Sequence, residues 1–196
     1  MLDNVLIKNY PAPPIKEREI LRYAGCSGEA DEATQALLQE CLLECAAAFS
    51  YRVCYRVFDV KQEKGALIIG NVTSDSKALR KNLEGCEKAV VFAATVGLNV
   101  DRMIAKYAGV ATAKALILQA IGAERIEALC DVFCADLKRE YKNIQPRFSP
   151  GYGDFSLSVQ KEIFLMLDCP RKIGLTLNDS LLMSPTKSVT AIVGLR

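Results

Sequence analysis

The sequence contains no histidine and no tryptophan. The first absence excludes a good deal. No Ser-His-Asp or Cys-His relay can be assembled. No imidazole can act as a base near neutral pH or ligate a metal. Any catalysis must come from a bound cofactor, a partner protein, or carboxylates, tyrosines and thiols. An excess of one charge is also lacking: 25 Lys and Arg against 23 Asp and Glu leave a net +2. The densest basic stretch, Lys138, Arg139 and Lys142, is interrupted by Glu140, so there is no block of the kind that marks a nucleic-acid partner. No apolar run reaches the roughly 18 residues that a membrane span needs. The opening MLDNVLIKNYPAPP has neither the basic start nor the apolar core of a secretory signal. The expectation is a cytoplasmic protein, without membrane or nucleic acid, whose 8 cysteines stay reduced.

What is present reads as an ordinary folded chain. The 196 residues are 51% hydrophobic and 24% charged, enough for a real core. No repeat, low-complexity tract or linker divides them, so residues 1–196 are read as one domain. Helices are expected over PPIKEREILRYAGC, with Gly25 as the stop, and over EADEATQALLQECLLECAAAF, where acidic residues at the start suit the helix dipole. YRVCYRVFDV alternates, with Val53, Tyr55 and Val57 on one face and Cys54, Phe58 and Val60 on the other. GALIIGNV follows the polar turn KQEKG as the second arm of a hairpin. TSDSKALRKNLEGC reads as a capped helix ending at Gly85, and KAVVFAATVG as a buried strand. A helical tract from residue 98 to about 142 is punctuated near Gly109 and Gly122. LSVQKEIFLMLD is helical, and GLTLNDSLLMSP and SVTAIVGL close the chain as strands. Helices and strands mix without regular βαβ alternation. The pattern indicates an α+β fold with a twisted, mostly antiparallel sheet packed against long helices.

Several groups are candidates for chemistry. Cys41/Cys45 and Cys130/Cys134 each share a helix face at i, i+4, but the paired C-x2-C knuckles of a zinc site are missing. They read as small buried hydrophobes. VVFAATVGLNVD has one glycine where a dinucleotide fingerprint needs three, so Gly97 reads as a strand end, with Asn99 or Asp101 capping the next helix. Glu124, Glu127, Asp131 and Asp136 form a solvated ridge on the bland reading. On the sharper one, Glu127 and Asp131 point together at a ligand. The stretch PRFSPGYGDF is the richest. Pro150-Gly151 fits the centre of a type II turn, and glycine permits close backbone approach. Arg147 offers a fork for a carboxylate. Tyr152 offers a face for a purine or a cation. Carboxylate, purine and sulfonium are the three handles of S-adenosylmethionine, although other ligands share them, and a stiff connection between helices would use the same residues. Lys187 in SPTKSV reads as solvent-facing, or as a contact for a phosphate or a partner carboxylate.

At these residues the sequence resembles the activation (reactivation) domain of cobalamin-dependent methionine synthase. RFSPGY matches the R-x-x-x-G-Y motif of that family. GLTLNDSLLMSPTKSVTAIVGL is similar to the segment that follows it there, and REILRYAG, AATVGLNVD and IEAL resemble its short free-standing members. The resemblance implies a ligand, S-adenosylmethionine, held by Arg147, Gly151 and Tyr152, with Pro150 between them and Glu127 as the matching acidic residue of the preceding helix. It implies a partner, a cobalamin-binding methionine synthase subunit, and an electron donor such as flavodoxin. The implied role is reductive methylation: cob(II)alamin on the partner is reduced and methylated from S-adenosylmethionine, restoring methylcobalamin. The chain departs from the family in being shorter than the fused domain, and in carrying Ile192 or Val193 where the fused form has a tyrosine. Three functions stay open: reactivation of methionine synthase, the same service to another corrinoid methyltransferase, and a non-catalytic interaction module.

Overall fold

Alternation along residues 51–63 sets the architecture. A computed structural model describes residues 4–26, 28–63 and 65–196. The first three residues of the opening stretch, and Lys64 of the expected KQEKG turn, lie outside them. Strand β2 (Tyr51–Glu63) carries β1 (Leu6–Tyr10) on the first half of one edge and β3 (Ala66–Ile69) on the second half. Strand β4 (Val72–Ser74) continues outward from β3. On its other edge β2 pairs with β5 (Lys88–Thr95). Every one of these pairings is antiparallel.

Helices then cover both faces. On one face lie α1 (Glu17–Tyr23), α2 (Glu32–Cys45), α4 (Asn99–Ala108) and the 30-residue α5 (Thr112–Tyr141). They pack on Val53, Tyr55, Val90 and Phe92. Phe133 of α5 meets the Phe92 ring at 4.9 Å and the Tyr55 ring at 5.1 Å. On the opposite face α3 (Lys77–Asn82), α6 (Gln160–Leu167) and α7 (Cys169–Ile173) pack on Cys54, Val91 and Ala93. Alternate residues of β2 and β5 therefore enter different cores. This is why AVVFAA in β5 and AIVGL in the last strand read as unbroken apolar runs: both sides of the pleat are buried. That last strand, β8 (Ser188–Leu195), pairs antiparallel with β5. A small hairpin precedes it, from β6 (Thr176–Leu177) and β7 (Met183–Ser184).

The α+β expectation and the antiparallel sheet hold. The element limits change in places. The first helix is confined to Glu17–Tyr23, because Pro13 and Pro14 lend their carbonyls to Arg125 instead. Helix α2 starts one residue after Asp31, whose carboxylate accepts from the Thr34 N–H. GALIIGNV turns at Gly70 into two strands. The tract after Gly97 breaks at Gly109 but runs straight through Gly122. Gly122 is where the stem of Lys187 crosses the helix: an added Cβ would lie 2.9 Å from Lys187 Cε. Lys187 is thus laid along α5, half-buried and bonded to Gln119 Oε1, rather than standing free in solvent. The N-cap of α4 is Leu98, with no side-chain bond. Asp101 instead accepts from Thr186 N–H and Oγ1–H, both at 2.7 Å, tying the segment before β8 to α4. No described helix is long and apolar enough to cross a membrane.

Candidate functional site

PRFSPGYGDF is a wired turn. The Tyr152 N–H reaches the Ser149 carbonyl at 3.2 Å, with Pro150 and Gly151 at the centre. Gly151 has φ +95°, the value a type II turn demands there. Two further bonds close the loop: Gly151 N–H to Phe155 C=O at 2.7 Å, and Phe155 N–H to Tyr152 C=O at 2.9 Å. Phe155 is fully buried in the second core. Asp154 fastens the far side by accepting from Ser76 Oγ–H and from the N–H groups of Lys77 and Ala78. Those three donors hold its carboxyl down at about 2. Upstream, Phe148 exchanges both backbone bonds with Ile192, at 2.8 and 2.9 Å, so the loop leaves from the outer edge of β8.

This placement brings together residues far apart in sequence. Arg147 turns toward α5, where Glu127, Cys130, Asp131 and Cys134 form one stripe at helical spacing. Its guanidinium pairs with Glu127 and, at 3.1 Å, with Asp131. Asp131 also takes Lys16 Nζ at 3.2 Å. The two carboxylates do converge on one point, and that point is Arg147. Of the stripe's thiols Cys130 is buried and Cys134 partly so, and desolvation raises the pKa of both; burial pushes Cys41 and Cys45 up to about 11. At neutral pH these are protonated and inert. Among the described residues no His, Cys, Asp and Glu cluster could hold a metal ion.

Beside this ion cluster is a cavity of about 240 Å³. Glu127, Arg147, Pro150 and Tyr152 line it. Gly151 shapes the turn without lining the cavity. Tyr152 stands at the mouth, 68% exposed. Among the other lining residues, which the sequence did not single out, are Gln160, at the start of α6, and Thr190 of β8. They are 6% and 2% exposed, and neither Gln160 Oε1 nor Thr190 Oγ1 makes a hydrogen bond. Buried polar atoms are nearly always bonded, so two such atoms on one cavity are the strongest mark of a ligand site. Nothing local in the sequence sets Gln160 or Thr190 apart. Only the register of β8 and the docking of α6 reveal them. Ile192 and Val193 are fully buried and face opposite cores, so neither replaces a cleft-side tyrosine.

A larger open hollow, about 1020 Å³, lies beside α1 and α2. At its rim Arg22 pairs with Glu19. Among the described residues, none of its lining side chains has an unbonded buried polar atom. Volume alone does not make it a site.

The family model for the vitamin B12 dependent methionine synthase activation domain matches residues 78–195. That span holds all six cleft residues named above. Among solved structures, the chain is similar to the crystal structure of the MetH reactivation domain bound to AdoHcy. The TM-score is 0.73 at 15% identity, with 98% of this chain and 78% of that one covered. No curated protein matches the sequence.

Proposed function

Because the chain belongs to the activation-domain family of vitamin B12 dependent methionine synthase, we propose that it binds S-adenosylmethionine and supports reductive methylation of cobalamin carried by a separate methionine synthase subunit. The observation that carries this reading is the cleft itself. Arg147 and Glu127 supply opposite charges side by side, as a zwitterionic amino-acid end requires. Tyr152 supplies an exposed aromatic face for a ring or a cation. Gln160 and Thr190 supply buried polar atoms without partners. The residues present fit the ligand.

When bound, S-adenosylmethionine offers an electrophilic methyl group whose departure leaves a neutral thioether. The protein's part is to hold and orient. Arg147 takes the carboxylate, exchanging one of its present partners for it, and Glu127 with Asp131 receives the ammonium. The type II turn at Pro150-Gly151 fixes Tyr152 at the mouth, so the cleft opens toward a docking partner. Positioning of this kind makes transfer effectively intramolecular. It asks for no protein base, in keeping with a chain that has no histidine.

In this reading residues 1–196 act as one S-adenosylmethionine-binding unit in the cytoplasm, where the eight free thiols suit a reducing compartment. A flavodoxin-like protein supplies the electron. A second reading keeps the cleft and changes the partner to another corrinoid methyltransferase. Methyl-labelled S-adenosylmethionine, a one-electron reductant and a separately produced cobalamin-binding methionine synthase fragment distinguish the two. Label should reach the cobalamin only when this chain is added. Transfer to a different corrinoid protein, and not to this fragment, would establish the second reading.

A further inference from the structure

The charged and uncharged walls of the cleft are separate. Arg147 and Glu127 occupy the α5 side. Gln160 and Thr190 come from α6 and β8, and carry no charge. Between these walls, Pro150, Met183 and Val189 give an apolar lining. An α-amino carboxylate would be costly to bury against the neutral wall. A purine ring is not: it is uncharged, its faces are apolar, and it carries donors and acceptors along one edge. A glutamine amide can bond that edge of adenine in two places, accepting from the exocyclic amino group and donating to the ring nitrogen beside it.

Resting on the S-adenosylmethionine reading above, we infer that Gln160 and Thr190 are specificity-determining residues that read the 6-amino edge of the ligand's adenine. Gln160 Oε1, an acceptor with no donor, takes the amino hydrogen. The Thr190 hydroxyl, also unbonded, completes the same edge. The chain thereby selects an adenosyl ligand at the floor of the cleft, independently of the amino-acid end held by Arg147.

The test is calorimetric titration with two ligands: S-adenosylhomocysteine, and its analogue with the 6-amino group replaced by hydrogen. The variants are Gln160→Met, which roughly keeps volume, and Thr190→Val, which keeps shape. Wild type should prefer the amino ligand by roughly ten- to hundredfold, the range expected when a buried acceptor loses its only donor. Gln160→Met should bind the amino ligand more weakly and lose that preference. Thr190→Val should bind more weakly while its free form unfolds at no lower temperature, because an unbonded buried hydroxyl has been removed. If Gln160→Met does not fold, Thr190→Val carries the test alone. Binding that depends on Arg147, with affinity and preference unchanged in both floor variants, overturns this inference and leaves the proposed function standing. Failure of folded wild type to bind either ligand overturns both.

Discussion

Two glutamates one turn apart on α5, Glu124 and Glu127, each pair with an arginine, and the two pairs differ in the ways that separate structure from function. Arg125 and Glu124 are both about 3% exposed. Their bonding is closed: the guanidinium reaches both oxygens of Glu124 and the carbonyls of Pro13 and Pro14, while Glu124 also accepts from the Lys16 N–H. The pair pins the proline-rich entry segment to the core helix. Arg147 and Glu127 are 25% and 42% exposed and border a cavity. Here the arginine comes from a distant loop, and the Gln160 and Thr190 oxygens on the same cavity are unbonded. A pair sealed on all sides has nothing left to offer a ligand, whereas a half-open pair can exchange partners.

Substitutions in and around the two pairs should separate their roles. Arg125→Met should produce the largest loss, about 3–5 kcal/mol of stability in urea denaturation, because it leaves the Glu124 charge buried and unpaired. Where folded, it should retain ligand affinity. A loss under about 1 kcal/mol would mean that the pair is not the clamp described. Gly151→Ala should come next. A Cβ there meets Leu157 only at 3.4 Å, so the cost is conformational, about 1–2 kcal/mol for holding a positive φ. It should appear in both stability and binding, since the turn is part of the cleft. Glu127→Gln should leave stability within about 1 kcal/mol and weaken S-adenosylmethionine by about tenfold, or 1.4 kcal/mol. Methylthioadenosine, which lacks the amino acid, should bind both proteins alike. Equal weakening of the two ligands would place Glu127 away from the ammonium.

The smallest effect concerns pH. The Asp154 carboxyl titrates at about 2 in the folded chain, below its ordinary value of about 3.9. Its contribution is complete above that ordinary value and is lost as pH falls through about 2. Wild type should thus lose stability more steeply than Asp154→Asn between pH 4 and 2, in paired acid-denaturation curves, and parallel curves would remove the anchor from the account.

Local pattern carried much of this. The two phases of YRVCYRVFDV do enter two cores, and Pro150-Gly151 does sit at a turn with positive φ. Arg147, Glu127 and Asp131 do meet. What stayed hidden depends on contacts between distant segments. Strand β1 has only five residues, mostly exposed, and exists because β2 offers it an edge. Asp101 looks like a cap until the Thr186 loop arrives to take its oxygens. Gly122 looks like a break until Lys187 lies across it. Gln160 and Thr190 are common residue types in unremarkable positions, distinguished only by bonds they do not make.

Whether Arg147 holds the methyl donor is decided by titrating S-adenosylmethionine into wild type and Arg147→Ala, with unfolding followed in the same samples. Wild type should bind, the variant should bind at least hundredfold more weakly, as loss of a charge-assisted partner implies, and stability should change by under about 1 kcal/mol for this partly exposed pair. Equal affinity in two equally stable proteins would contradict it.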